Sequence, residues 1–447
     1  MLKTMGAIAS SNRFGYSEIS GPSTYVPSVI DTFEVEDGIT MDSAMCVALS
    51  SDLVVVAYHT DDEGESPVLR IKTLSIDSSY NISAKDTLAA DTITGSLAHE
   101  VGTFGLEKVD ATHFVIAYTS GGNGILKMFS CDADGTSIAE VDTFQHDSDS
   151  GGHESLCLID NNVGSLGIEG TMMLAYQKDS DAGHDGYARV VIWEDDFSFN
   201  ESALYDAVEF SANISKWMHC VLWTNESGGT SGTEHGRVLL AYYEDASARG
   251  LVFRWLTIGL DDNDVGWQIT VSASTKITMW ADGYRFPMMQ KIDDSHFAVV
   301  TNTSTGVGHI WTWSIDENYD LEDVDQLGFQ QASLYFCFEP KLSLIDSNHA
   351  LSVFNGIRDG TPNTIASTAQ VFSWDSGTGD DLARVDNDRP HGEFLSSSAD
   401  DDLSSLDASP TKDKTFRHAV VKLDASHYFV LHEGADDDAF ATTLLLS

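Results

Sequence analysis

Four pairs of an aspartate and a histidine, three residues apart, are the first feature of the sequence that could carry chemistry. They are Asp110/His113, Asp293/His296, Asp346/His349 and Asp424/His427. A carboxylate beside an imidazole is a combination that catalytic sites use for proton transfer. An active site would occur once, however, whereas this pair recurs in strings such as VDATHF and LDASHY. Because Asp accepts hydrogen bonds from nearby backbone N–H groups, the spacing favours a repeated turn.

A second group of side chains could form a binding site if the chain folds into a propeller. Histidines and basic residues are scarce, yet several lie where a repeat unit enters its first strand. In a propeller these segments surround one mouth of the central channel. We predict ligand binding at this mouth by His99, Glu100, His153, Glu154, His219, Arg285, Glu339, Lys341, Arg417 and His418. The alternative is a set of ordinary polar residues around a water-filled channel.

Two acidic segments resemble calcium-binding loops, DADG at 132–135 and LDDNDVG at 260–266. Alternate carboxylates can gather around a hard cation, which makes Asp132 and Asp134 calcium candidates. Neither segment completes the pattern, since Val265 stands where an oxygen ligand is needed. Both lie where turns between strands are expected. We therefore predict turns here, and no cofactor other than bound calcium or another cation.

Signatures of known catalytic centres are lacking. Three His-Glu dipeptides occur, but none is followed by a histidine at the spacing of zinc proteases. No Gly-x-Ser-x-Gly elbow, phosphate loop or dinucleotide fingerprint is present. The five cysteines are too dispersed for a disulfide framework or a zinc site. We therefore predict no catalytic residue, no protein-held metal and no enzymatic activity.

An internal repeat determines where these residues lie. Ala-Tyr pairs recur about 60 residues apart at Ala57-Tyr58, Ala117-Tyr118, Ala175-Tyr176 and Ala241-Tyr242. Together with the Asp-x-x-His strings they mark seven units. Within a unit, strings such as FGLEKV, HFVIAY, ILKMFSC and IAEVDTF have the periodicity of strands separated by turns. A four-stranded antiparallel meander is a propeller blade, so we predict an all-β, seven-bladed β-propeller.

The two ends of the chain predict how this propeller closes. The last unit is one strand short, and IDTFEVED near the N-terminus matches VDTFQHDS in the second unit. The N-terminal strand should therefore complete the last blade, which removes an open sheet edge. The predicted organisation is an N-terminal arm at 1–28, an outer strand for the last blade at 29–37, and blades near 39–98, 99–151, 152–214, 215–282, 283–334, 335–415 and 416–447.

The charge balance limits the partners. Seventy Asp and Glu face 24 Lys and Arg, for a net charge of −46. In molar salt the Debye length is about 3 Å, so such repulsion is screened, and we predict adaptation to high salt. A cation-binding or merely acidic mesophilic protein is the alternative. Nucleic acid is excluded as a partner because phosphate binding needs clustered basic residues. No apolar run is long enough to span a membrane or to serve as a signal peptide.

The repeat string L/V/I-D-x-x-H-F-x-V-A-Y, with a Gly-containing loop and a D-x-D-G turn, resembles propeller repeats of phage and microbial surface proteins. This resemblance, with the acidic composition, implies a spike, turret or fibre component on the virion surface of a haloarchaeal virus. Expected partners are other virion proteins, further copies of the chain in a homo-oligomer, and host-surface glycans. The alternatives are a carbohydrate-active hydrolase or lyase and a cytoplasmic interaction scaffold of a halophile.

Overall fold

A computed structural model gives the fold. It describes residues 25, 27–37, 41–60, 68–92, 105–160, 170–180, 183–200, 207–213, 215–225, 234–244, 250–260, 267–272, 275–277, 284–303, 307–328, 334–358, 364–375, 377–385, 391–395, 418–433 and 438–446. The predicted arm, apart from Tyr25, Pro27 and Ser28, and the 261–266 segment lie outside these residues. Within the described part there is no helix, and so none that could cross a membrane.

The described residues form seven antiparallel sheets. The first strand, β1 (Pro27–Glu36), belongs to the last sheet. Blade 1 consists of β2 (Met41–Ser50), β3 (Leu53–Thr60), β4 (Val68–Ile76) and β5 (Ile82–Thr92). Blade 2 consists of β6 (Gly105–Lys108), β7 (His113–Ser120), β8 (Asn123–Ser130) and β9 (Ala139–Asp147). Blade 3 consists of β10 (Ser150–Asp160), β11 (Gly170–Ser180), β12 (Gly183–Trp193) and β13 (Val208–Ser211).

The remaining blades follow the same order. Blade 4 consists of β14 (Ser215–Asn225), β15 (Glu234–Glu244), β16 (Gly250–Leu260), β17 (Trp267–Val271) and β18 (Thr275–Ile277). Blade 5 consists of β19 (Tyr284–Lys291), β20 (His296–Thr303), β21 (Gly308–Ile315) and β22 (Leu321–Gly328). Blade 6 consists of β23 (Leu334–Leu344), β24 (His349–Arg358), β25 (Thr364–Ser373), β26 (Ala383–Arg384) and β27 (His391–Leu395). Blade 7 consists of β28 (His418–Lys422), β29 (His427–Glu433), β30 (Ala439–Leu446) and β1.

These sheets are the blades of a seven-bladed β-propeller, so the predicted fold class is confirmed. In blades 4 and 6 two short strands share the fourth position: β17 and β18 both pair with β16, and β26 and β27 both pair with β25. By its contacts the chain divides into unit 1 (residues 1–41, 77–82 and 288–447) and unit 2 (residues 42–76 and 83–287).

The predicted closure by the N-terminal strand is also confirmed. β1 pairs antiparallel with β30, from Pro27 opposite Leu446 to Glu36 opposite Ala439. The hydroxyls of Thr32 and Thr442 lie 3.2 Å apart across this pair. The last blade thereby gains its fourth strand, and the sheet reads β1-β30-β29-β28.

Apolar side chains between consecutive blades make up the core. In unit 2 the buried residues of blades 3 and 4 form one cluster that includes Met173, Phe210 and Leu240. In unit 1, buried residues of blades 6 and 7 form another, which includes Val371 and Val430. The tyrosines of the repeated Ala-Tyr pairs are fully buried. The repeated Ala-Tyr pair therefore reflects core packing, because burial of an aromatic side chain contributes a large hydrophobic free energy to folding.

The Asp-x-x-His strings form the turn between the first two strands of a blade. Asp110 accepts hydrogen bonds from the backbone N–H groups of Thr112 and His113, at 2.7 and 2.8 Å. Its carboxylate also lies 3.0 Å from Nδ1 of His113. Asp424 makes the same contacts with Ser426 and His427. The repeated aspartates therefore shape turns, as the spacing predicted.

Adjacent blades are also joined by repeated polar contacts. The hydroxyl of Thr312, on the third strand of blade 5, donates to the carbonyl of Gly379 in blade 6 at 2.5 Å. An aspartate on the fourth strand of a blade accepts from a backbone N–H of the next, as Asp142 does from Phe199 at 2.7 Å. Further examples of this second contact are Asp31 with Ile82, Asp86 with Ile138 and Asp325 with Leu382.

The first strands of several blades hold bulky residues at positive φ, three of them within bulges. In unit 2 these residues are His153 (φ 60°), Trp217 (φ 51°) and Phe286 (φ 54°), and in unit 1 Glu339 (φ 41°). Register shifts between Gly152 and Ser155, and between Lys216 and His219, bracket the first two. Such backbone costs about 1–3 kcal/mol per non-glycine residue and is found preferentially near functional sites.

Candidate functional site

The candidate site is a cleft of about 460 Å³ in unit 2. It is lined by Glu209, Phe210, Ser211, Ala212, Asn213, Glu244 and Arg254. These side chains come from β13 and the segment that leaves it, from the last residue of β15 and from the middle of β16. A cavity of this size lies within the range that holds a small ligand.

Hydrogen bonds fix the shape of the segment after β13. The backbone N–H of Asn213 donates to Oγ of Ser211 at 3.3 Å, and the hydroxyl of Ser215 donates to the carbonyl of Asn213 at 3.0 Å. The side-chain amide of Asn213 donates to the carboxylate of Glu244. Glu244 is itself 7% exposed, so this buried carboxylate is held in a defined place at the wall of the cleft.

Aromatic rings support the cleft from below. Phe210 packs on Tyr242 with ring centroids 5.1 Å apart. A Cβ atom at Gly186 would lie 2.3 Å from the Phe210 ring, so glycine is required there. Burial raises the pKa of the Tyr242 hydroxyl, and the positive charge of Arg254 opposes that rise. The guanidinium of Arg254, which lines the cleft, therefore also interacts electrostatically with Tyr242, the ring on which Phe210 packs.

Glu209 is the second carboxylate of the cleft and differs from Glu244 in its setting. It is exposed, on β13, and the hydroxyl of Tyr187 donates to it at 3.5 Å. The cleft thus offers two carboxylates in different surroundings, together with an amide, a hydroxyl and a guanidinium. Glycosidic bond cleavage uses a pair of carboxyl groups that flank the bond, and Glu209 and Glu244 are the two carboxyl groups of this cleft.

Three of the residues predicted for the channel mouth are described in unit 2. His153 and Glu154 lie inside the β10 bulge and are 3% and 2% exposed. Burial, and then the charge of Lys216, lower the pKa of His153 to about 3. Burial raises the pKa of Glu154 to about 7, although hydrogen bonds from Thr119 and Ser150 oppose this. His219 is half-buried at the end of the β14 bulge.

Three more of the predicted residues are described in unit 1. Glu339 is 5% exposed and sits in the bulge of β23, which Lys341 ends. His418 begins β28 and is fully buried. Burial lowers its pKa well below the ordinary value, and the neighbouring His432 and Lys341 add to that. The charge of Lys341 therefore acts on His418.

The rest of the predicted mouth is not described. His99, Glu100 and Arg417 lie outside the described residues, as does the side chain of Arg285. That the ten residues form a single binding site remains a prediction.

Of the two predicted cation sites, the one at 132–135 is described and forms a turn. The hydroxyl of Thr136 donates to Asp134 at 2.7 Å and to Asp132 at 3.3 Å, so both carboxylates serve the turn itself. Elsewhere in the described part, carboxylate oxygens of Glu34, Asp37 and Asp438 lie within 4.8 Å of one another. Carboxylates so placed could hold a cation, but exposed acidic groups are common without one.

The cleft residues were missed by the sequence analysis. They come from three strands that are separate in sequence, and hydrophobic periodicity does not report which polar side chains meet. Trp217 was missed too, because only charged residues and histidines near the strand starts were chosen, although it lies in β14, which begins at Ser215. The aromatic residue within SKWMHC, directly before a predicted strand, was the signal that could have found it.

No family model and no curated protein matches the chain in sequence. Solved structures do align with the chain in three dimensions. A Dyadobacter fermentans protein of unknown function aligns with 96% of this chain and 100% of its own, at 11% identity and a TM-score of 0.42. A leech intramolecular trans-sialidase aligns with 95% of this chain and 70% of its own, at 13% identity and a TM-score of 0.38. An ulvan lyase aligns with 93% of this chain and 96% of its own, at 9% identity and a TM-score of 0.47.

These similarities concern the fold. They nevertheless correct one prediction of the sequence analysis, that the chain is not an enzyme. That prediction relied on the absence of catalytic signatures, and the sialidase and the lyase are enzymes with this architecture. The missing signatures therefore did not justify it.

Proposed function

We propose that this propeller is a carbohydrate-active enzyme and that the cleft of unit 2 is its active site. The observation that carries the proposal is the pair Glu209 and Glu244 in one cleft with Arg254 and Asn213. The proposed reaction is hydrolysis of a glycosidic bond, and the proposed substrate carries a carboxylate on its sugar ring.

Arg254 recognises the substrate in this proposal. A guanidinium presents paired donors that match the two oxygens of a carboxylate. In a chain with a net charge of −46, a cation at the cleft is needed to bind an anionic sugar. The amide of Asn213 and the hydroxyl of Ser211 are available for sugar hydroxyls along the same wall.

The two carboxyl groups divide the chemistry. Glu209 donates a proton to the glycosidic oxygen while the bond from that oxygen to the anomeric carbon breaks. Glu244, held by Asn213, stabilises the positive charge that develops on the sugar. A water molecule then bonds through its oxygen to the anomeric carbon. One of its protons passes to the carboxylate of Glu209, which is thereby protonated again. The net reaction adds one water across one bond.

The test is turnover of polysaccharides by the purified chain. Uronate-containing, sialylated and neutral glycans are incubated with the protein, and new reducing ends are measured. We expect activity on a carboxylate-bearing glycan, a loss of at least about 100-fold in kcat for Glu244→Gln, and a raised KM for Arg254→Lys. Glu317→Gln changes an exposed glutamate in a turn of blade 5 and is the control. Products with an unsaturated sugar would show a lyase instead, and no turnover of any glycan would overturn the proposal.

A virion-surface location, with host glycans as substrate, is the accompanying proposal from the sequence. Its support is the acidic composition and the resemblance of the repeat. Mass spectrometry of purified virions is the measurement, and detection of the protein only in the host cytoplasm would contradict it.

A further inference from the structure

We infer that aromatic residues at positive φ in the first strands of unit 2 form a subsite that binds a glycan chain extending from the cleft, so that the substrate is an anionic polysaccharide and not a single sugar. This inference rests on the proposed function for the location of the cleft. Its own basis is the row of rings formed by His153, Trp217 and Phe286.

The three rings contact one another across successive first strands. His153 and Trp217 have ring centroids 6.1 Å apart, and Trp217 and Phe286 have centroids 4.6 Å apart. Tyr243 on β15 adds a fourth ring, 5.2 Å from Trp217. Trp217 and Phe286 are partly exposed, whereas His153 and Tyr243 are buried. The C–H face of a pyranose can therefore lie on the exposed parts of the Trp217 and Phe286 rings, whose π-clouds are negative.

The backbone supports a binding role for this row. Each of the three residues has a positive φ, a conformation that is rare for bulky side chains. A bulge turns a side chain out of the regular alternation of a strand and so aims it differently. A purely apolar contact between blades could be made from regular strands, as the core clusters show. The positive φ recurs at Glu339, which carries no ring, so this conformation belongs to the first strands of several blades; at three successive blades the residue that it places is aromatic.

The row is continuous with the cleft through a short stretch of chain. Asn213 lines the cleft, and Ser215, which hydrogen-bonds to its carbonyl, lies two residues before Trp217. Ser215 also pairs with Glu244, and Lys216 pairs with Tyr243. Asn213, on the wall of the cleft, and Trp217, the central ring of the row, are thus linked through Ser215.

The charge beside the row selects an anionic chain. The charges of Lys216 and His184 both act on His153. Cations are scarce in this protein, with 24 Lys and Arg in all, so their presence beside the rings matters. An acidic polysaccharide offers ring faces to Trp217 and carboxylates to Lys216.

Binding is tested in the Glu244→Gln background, so that turnover does not consume the probe. A soluble polyuronate and uncharged dextran are cast in native gels, and migration of the protein is measured. We expect retardation by the polyuronate only. Trp217→Ala should weaken it at least about tenfold, while Trp217→Phe, which keeps an aromatic face, should retain most of it. Tyr319→Ala, which also removes an aromatic residue at positive φ, is the control and should bind normally.

The outcomes separate the two proposals. In the active chain, loss of the subsite should raise KM for the polymer and leave kcat nearly unchanged. Retardation that depends on Trp217 without any turnover would keep the subsite and remove the enzyme. Turnover together with binding that Trp217→Ala leaves unchanged would keep the enzyme and remove the subsite. If Trp217→Ala and Trp217→Phe only lower the melting temperature and bind as before, the row is packing alone and the inference is wrong.

Discussion

Tyr80 stacks on the imidazole of His427, with ring centroids 3.4 Å apart, and donates a hydrogen bond from its hydroxyl to Asp424. Tyr80 lies in the turn between β4 and β5, and the other two form the turn between β28 and β29. In unit 2 the ring of Phe197 stacks on His113 in the same way, at 3.6 Å. The histidine of the recurring Asp-x-x-His turn is therefore a platform for an aromatic residue of the following blade.

Removing this contact should loosen the last blade. Tyr80→Phe loses the hydrogen bond to Asp424 but keeps the stack, and Tyr80→Ala loses both. We expect a small fall in melting temperature for the first variant and a fall of several degrees for the second. Thermal unfolding followed by circular dichroism is the measurement, and equal effects of the two variants would show that stacking contributes nothing.

The N-terminal strand should be essential to stability. A chain that starts at residue 39 lacks β1 and exposes the edge of β30, which β1 covers along its whole length. We expect aggregation or a large loss of stability, because an unpaired edge recruits other strands. A chain that starts at residue 25 keeps Tyr25 and β1 and is the control. The strand has no such role if both truncated chains melt alike.

Glu154 should make stability depend on pH. Its pKa is raised by burial from an ordinary value of 4.5 to about 7, so the folded state retains a proton that the unfolded state releases. Between about pH 4.5 and 7 stability should therefore fall as pH rises, and this contribution should level off above pH 7. Glu154→Gln keeps the acceptor for Thr119 and Ser150 but cannot ionise.

Denaturant midpoints measured from pH 4.5 to 8 test this expectation. The variant should show a flatter profile than the natural chain, with the largest gain at pH 7 and above. Glu107, whose pKa burial raises to about 8, provides a second group of the same kind and keeps some slope in the variant. Parallel profiles for the two proteins would mean that folding does not shift the pKa of Glu154.

Salt should stabilise the protein strongly. The net charge of −46 opposes the compact state, and molar salt reduces the screening length to about 3 Å. We expect the melting temperature to rise steeply between dilute buffer and molar NaCl, with KCl giving a similar rise. A nearly constant melting temperature would contradict adaptation to high salt.

The sequence predicted the blade count and the closure because both follow from repetition. The match of IDTFEVED to VDTFQHDS now has a physical cause: Asp31 and Asp142 occupy equivalent positions and each accepts a backbone N–H of the next blade. A contact that recurs from blade to blade requires the same residue type at the same position of each repeat. The positive φ of the first strands leaves no such repeat in the sequence, since His153, Trp217, Phe286 and Glu339 share this backbone conformation but no residue type.

The candidate site was predictable only in part, for a related reason. His153 and Glu154 were found because charged residues at strand starts are visible in the sequence. Glu244 and Arg254 were not, because they stand inside strands of an apolar pattern and acquire a role only through Asn213 and Tyr242. A site that occurs once in the protein depends on side chains of separate strands coming together, and an internal repeat does not predict it.

The pairing of β1 with β30 also affects the order in which the protein can be made. Thr32 and its partner Thr442 are 410 residues apart, so ribosomes moving at about 5–20 residues per second finish the second about 20–80 s after the first. Throughout that interval β1 has no native partner. The carboxylates of Asp31, Glu34 and Glu36 should repel other acidic nascent chains and so protect the earliest strand until the last one emerges.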